Sequence, residues 1–140
     1  MKRQRLAIVT LALGALLPHD TRAAGVSPQE RPTWAAPLTS DARANPLAAR
    51  PDTEPGGAKL FKEHCAQCHR DDATGTSHGP GLTGRRVQSQ TDGALFWKIT
   101  SGNTRTGMPT FSGLPELQRW QLVLHLRALG SGHSAPPNRP

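Results

Sequence analysis

"HCAQCH", residues 64–69, sets two cysteines two residues apart with a histidine directly after the second, and Cys65 and Cys68 are the only cysteines among 140 residues. A pair spaced in this way has three chemical uses. A structural zinc site needs two further ligands, which here would have to be histidines. His64 and His69 flank the thiols too tightly for ordinary zinc spacing, leaving His78, His125 or His133 as distant candidates. A redox dithiol expects a strand before the motif and a βαβ framework around it, and no such pattern is visible. The third use is covalent attachment of haem, in which the thiols add across the two vinyl groups and the imidazole of the next residue turns to the iron. His69, one residue past Cys68, favours this third chemistry.

Outward from the motif the apolar spacing is helical. Leu60 and Phe61 with Gly57 mark one face of a short helix running into the cysteines, and Ala94, Leu95, Trp97 and Ile99 suggest a second. The third is the clearest: Pro115 and Glu116 suit a first turn, Leu117, Trp120, Leu122, Val123, Leu124, Leu126 and Leu129 supply the apolar positions, Arg127 lies near the last turn, and Gly130 is a C-terminal stop. Nothing asks for a sheet. The expected fold is all-α, three to four short helices over residues 55–130. A core this thin rarely supplies more than about 3–5 kcal/mol, so a covalent cofactor would serve as its staple.

The flanks read differently. Lys2, Arg3 and Arg5, the apolar run Leu6 to Leu17 and the small-residue site Thr21-Arg22-Ala23 predict a secretory signal peptide over 1–23. Twelve apolar residues span only about 18 Å, short of the ~30 Å hydrocarbon core, so a membrane anchor is disfavoured. Without residues 1–23, 13 basic and 9 acidic residues remain, a net charge of +4 against +7 for the whole chain. The charges are scattered and no aromatic-basic interleaving occurs, which argues against nucleic acid as a partner. Residues 24–54, with Pro28, Pro32, Pro37, Pro46 and Pro51 and no periodicity, predict a proline-rich disordered linker on which Trp34 rests against the domain surface. Residues 131–140 predict a disordered tail of the same kind.

A second iron ligand can be sought by elimination. Apart from Met1, the only methionine is Met108, between Gly107 and Pro109 and 39 residues beyond His69. A methionine in a Gly/Pro-bounded loop is poorly placed as core filler. Its thioether would fill the sixth position and raise the reduction potential relative to two imidazoles. His78 and His125 are the rivals, His125 lying within the apolar stripe of the last helix and expected to pack against the first.

With these residues in place the chain resembles the class I c-type cytochromes over Gly57 to Leu129. "GAKLFKEHCAQCH", 57–69, resembles the N-terminal helix and haem motif, with Gly57 and Phe61 where that helix crosses the C-terminal one. "GPGLTG", 79–84, resembles the proximal loop, which implies that the Pro80 carbonyl receives the His69 N–H and that Leu82 touches the porphyrin. "TGMPTF", 106–111, resembles the distal methionine loop, and Glu116 to Leu129 the closing helix. The chain has no tyrosine to bond a haem propionate, leaving Arg85, Arg86, Trp97 and Arg105 as candidates by charge or indole N–H. Phe96 and Phe111 are expected in the core beside the haem.

The resemblance implies one covalently bound haem c, held by Cys65 and Cys68 and ligated by His69 and Met108, in an exported, periplasmic bacterial carrier of single electrons. Its partners would be redox proteins: a dehydrogenase, a cytochrome complex or a terminal oxidase. No nucleophile, acid-base pair or substrate cleft marks an enzyme, and no stable membrane insertion is expected after signal cleavage. Two other classes remain: a haem-bearing accessory subunit of a periplasmic dehydrogenase or oxidase, and a haem sensor or peroxidase with an open sixth position.

Overall fold

The computed structural model describes residues 34–132. The expected signal peptide over 1–23, the first part of the expected linker, and the tail from residue 133 with His133 lie outside the described residues.

Six helices follow in order: α1 Leu38–Asp41, α2 Glu54–His64, α3 Ala66–His69, α4 Arg85–Gln88, α5 Asp92–Ser101 and α6 Glu116–Gly130, with 3-10 turns at Pro51–Thr53 and Thr104–Thr106. Among the described residues there is no strand, only an isolated bridge between Asn103 and Met108. The all-α expectation therefore holds. The three helices marked by apolar periodicity are α2, α5 and α6; α1, α3 and α4 are four residues each, too short to show a helical period.

The frame is the crossing of α2 over α6. A Cβ at Gly57 would lie 2.1 Å from the Gln121 carbonyl oxygen and 3.0 Å from the His125 Cβ, so only a residue without a side chain lets the two helices approach so closely. Phe61, 2% exposed, packs one turn later with its ring 5.2 Å from the His125 ring. His125 is buried in the apolar stripe, yet its Nδ1 lies 2.6 Å from the Glu54 carboxylate across the crossing, so the buried polar group is satisfied. α6 also buries Trp120, whose ring stacks on Phe96 of α5 at 4.0 Å and 21°. α5 is capped by the Thr91 hydroxyl, which accepts from the Ala94 N–H, and is tied to α6 by the Arg127–Asp92 ion pair at 2.8 Å.

The described part of the expected linker is hydrogen-bonded to the helices. From Trp34 on, the chain runs as a strap along α5. A Cβ at Gly93 would meet the Ser40 carbonyl oxygen at 2.0 Å, and the Thr91 hydroxyl lies 2.9 Å from the Asp41 carbonyl oxygen. Asn45 is buried, donating from Nδ2 to the Trp120 carbonyl while its Oδ1 accepts the Leu47 N–H. Arg43 pairs with Glu116 at 2.5 Å. Isolated polar anchors to distant elements hold this segment, and a composition rule that counts apolar area does not detect them. No helix among the described residues is long and apolar enough to cross a membrane.

Candidate haem-binding site

α2 delivers the motif. Its last turn closes where the Cys65 N–H donates to the Phe61 carbonyl, and the Cys65 carbonyl then accepts from both Cys68 and His69 N–H groups, at 3.1 and 3.0 Å. The chain leaves this turn through Arg70 at φ 66°. Cys65 and Cys68 are half-buried free thiols. Burial, with the neighbouring Cys68 adding to it, pushes the Cys65 thiol up to about 11, so before attachment it stays neutral near pH 7.

The loop from 70 to 84 folds beneath the histidine. His69 Nδ1 lies 2.7 Å from the Pro80 carbonyl oxygen. A carbonyl only accepts, so Nδ1 carries the proton and Nε2 keeps its lone pair for a metal. Gly79 lines the ring: a Cβ there would sit 3.0 Å from His69 Cε1 and 2.9 Å from the Cys68 carbonyl oxygen. The Thr76 hydroxyl donates to that same carbonyl at 2.6 Å, and the Leu82 N–H donates to the carbonyl of Ala73, a fully buried residue. Leu82 itself packs against the core.

Met108 lies half-buried in the loop after α5, off any helix. Asn103 and Met108 exchange both backbone hydrogen bonds, at 2.9 and 3.1 Å, around the turn Thr104–Thr106. The rival histidines are differently occupied. His125 faces Glu54, His78 is exposed beside the Ser77 hydroxyl, and His64 is exposed with its ring 6.2 Å from that of Phe111. Of the propionate candidates, Arg85, Arg86 and Arg105 are exposed. The structure groups Trp97 with Ser40, Arg43, Phe96 and Arg119 around a shallow cleft on the strap side, so its company is the strap. Phe96 is in the core, stacked on Trp120, and Phe111 is half-buried against it.

Gly79, Thr76, Asn103 and the Gly102 carbonyl that receives the Trp34 indole escape sequence reasoning. A glycine before the Pro80 that meets the histidine is the one local sign for Gly79; the others act across a turn or across the fold.

No group of three or more His, Cys, Asp or Glu side chains comes together among the described residues in a way that would hold a metal ion. The residues present fit haem instead: two half-buried thiols on one turn, an imidazole whose tautomer is set, a glycine cradle against its ring, and a thioether in a pinned loop. Fold and site together define a class I c-type cytochrome. Residues 52–126 match the family described as cytochrome C oxidase, cbb3-type, subunit III, and the chain belongs to that family. Covalently bound haem c and electron transfer come with membership. No curated protein and no solved structure matches the chain.

Proposed function

We propose that this is an exported periplasmic cytochrome with one haem c, a carrier of single electrons between redox proteins rather than an enzyme. The observation that supports it best is the 2.7 Å contact from His69 Nδ1 to the Pro80 carbonyl oxygen, which orients the ring and leaves Nε2 as the donor atom. Cys65 and Cys68 would hold the haem by thioethers, and Met108 would supply the sixth donor. Bound haem would supply the reversible ferric/ferrous couple; the chain would hold it through Cys65, Cys68, His69 and Met108 and exclude water, leaving outer-sphere transfer as the chemistry. Arg85, Arg86 and Arg105, all exposed, remain available to the propionates.

The test is Met108→Ala in the haem-loaded protein. The native ferric form should show the weak far-red sulfur-to-iron band, and the native ferrous form should take up carbon monoxide slowly or not at all near neutral pH. The variant should lose the band, fall in reduction potential and bind carbon monoxide readily, with its haem still attached through denaturing electrophoresis. Fast, stoichiometric carbon monoxide uptake by the native protein would move the sensor or peroxidase reading ahead.

A second reading, a haem-bearing subunit fixed in a larger redox complex, is favoured by the description of the matched family as an oxidase subunit. Salt separates the two. Lys59, Lys62 and Arg105 are exposed, and exposed charges are screened within about 10 Å at 0.1 M salt, so encounter-limited electron transfer should slow severalfold between ~0.02 and ~0.2 M. A rate indifferent to salt, with stoichiometric copurification of the partner, favours the fixed subunit.

A further inference from the structure

The Met108 loop has two anchors, and one of them lies outside the haem domain expected from the sequence. On the outgoing side, the Thr110 hydroxyl donates to the Thr100 carbonyl at 2.6 Å and the Phe111 N–H to the Ile99 carbonyl at 3.2 Å, tying the loop to the end of α5. On the incoming side the hinge is Gly102. It is buried, adopts φ +62°, and approaches so closely that a Cβ there would lie 2.3 Å from the Pro109 carbonyl oxygen.

The peptide group joining Gly102 to Asn103 is bonded at both ends. Its N–H donates to the Met108 carbonyl at 2.9 Å. Its C=O accepts the indole N–H of Trp34 at 3.0 Å, from a residue 68 positions earlier. One planar unit thus carries Met108 on one side and Trp34 on the other, and hydrogen bonds in such a chain polarise and orient one another. Trp34 is itself held. The Lys98 ammonium stands 4.8 Å from its ring centroid, and the strap behind it is clamped at the far end of α5 by Thr91 and Asp41.

We propose that Trp34 is a positioning residue for the Met108 loop: through the Gly102–Asn103 peptide, its indole N–H sets the orientation from which Met108 is presented to the haem. The proposal rests on the reading of Met108 as the sixth ligand for its effect on the iron, but not for its effect on the loop. The strap then acts on the Met108 loop through the backbone.

The test is Trp34→Phe in the full haem-loaded chain, which keeps a six-membered aromatic ring beneath Lys98 and removes the N–H donor with the rest of the pyrrole ring. Hydrogen exchange of the Asn103 and Met108 amides should quicken roughly fivefold, as expected for a hydrogen bond of ~1 kcal/mol, while the core amides of Val123 and Leu126 keep their native rates. Carbon monoxide uptake by the ferrous protein should rise by a similar factor, and the far-red band should weaken. Lys98→Met, which leaves the indole N–H in place, should keep native exchange at Asn103 and Met108. Unchanged exchange at those amides in Trp34→Phe overturns the proposal, as does a uniform quickening across α2, α5 and α6. If the native protein lacks the far-red band, the Met108 reading fails, and the amide exchange alone decides whether Trp34 positions the loop.

Discussion

At Glu116 a single carboxylate joins two parts of the chain, α6 and the strap. It begins α6, accepts from the Trp120 indole at 3.3 Å and pairs with Arg43 of the strap at 2.5 Å. The Trp120 hydrogen bond first, and then the one from Arg43, hold its carboxyl below the usual glutamate range. A carboxylate whose folded-state pKa is depressed stabilises the fold above its unfolded pKa, and that contribution disappears as pH falls through the depressed folded value. The site is exposed, so water and salt weaken the effect. Glu116→Gln should therefore lower the melting temperature slightly at pH 7, and the difference from the native protein should close as pH falls below the usual glutamate range. A difference that persists unchanged once Glu116 is protonated would mean that Glu116 acts through packing and not through charge. His125 presents the opposite case at this scale: its place in the apolar stripe is legible in the sequence, but the Glu54 partner that makes burial tolerable lies on another helix.

Among the elements, α2, α5 and α6 are legible because each buries a stripe of regularly spaced apolar residues, which is a local property. The haem motif is legible for the same reason, since Cys65, Cys68 and His69 are adjacent in the chain. Met108 is reached by elimination, and Pro80 through resemblance. The strap is illegible because its order is entirely non-local: Asn45 bonds to the Trp120 carbonyl, Thr91 to Asp41 and Trp34 to Gly102, each spanning fifty residues or more. A proline-rich composition predicts a linker that could be removed without consequence, and these contacts predict otherwise. Excising residues 34–49 removes these three hydrogen bonds, worth about 0.5–1.5 kcal/mol each, together with the exposed Arg43–Glu116 pair, so the haem-loaded domain should lose roughly 2–4 kcal/mol. For a domain of this size that corresponds to a fall in melting temperature of at least ~8 °C. Asn45→Ala alone should reproduce about 1 kcal/mol of it. An excised protein that melts with the native one would return the segment to the status of a linker.

Across the whole molecule the apolar core gathers at the helix crossing, in Phe61, Leu95, Phe96, Ile99, Trp120, Leu122, Val123 and Leu126, with Ala73 at its margin. Apart from the Cys65–His69 motif, which ends α2 and forms α3, the candidate haem-binding loops lie in the segments that contain the least helix. Residues 70–84 have none, and residues 102–115 have only the turn Thr104–Thr106. Their order comes from the His69 imidazole bonded to the Pro80 carbonyl, from backbone hydrogen bonds at Ala73 and Asn103, and from Leu82 and Phe111 packed against the core. A core of this size contributes no more than about 3–5 kcal/mol against the entropy of ordering those loops, which leaves attachment of the cofactor to tip the balance. Replacing Cys65 and Cys68 together with alanine should therefore yield a chain without a cooperative thermal transition. Protease should cut it first within 70–84 and 102–115, where no helix resists, and only later in α2 and α6, where the Gly57 crossing can persist. Circular dichroism should show a large loss of helix relative to the haem-loaded protein. A cooperative transition with native-like dichroism in the double variant would show that the helix crossing and the strap suffice to fold the chain, and that haem binds to a site already built.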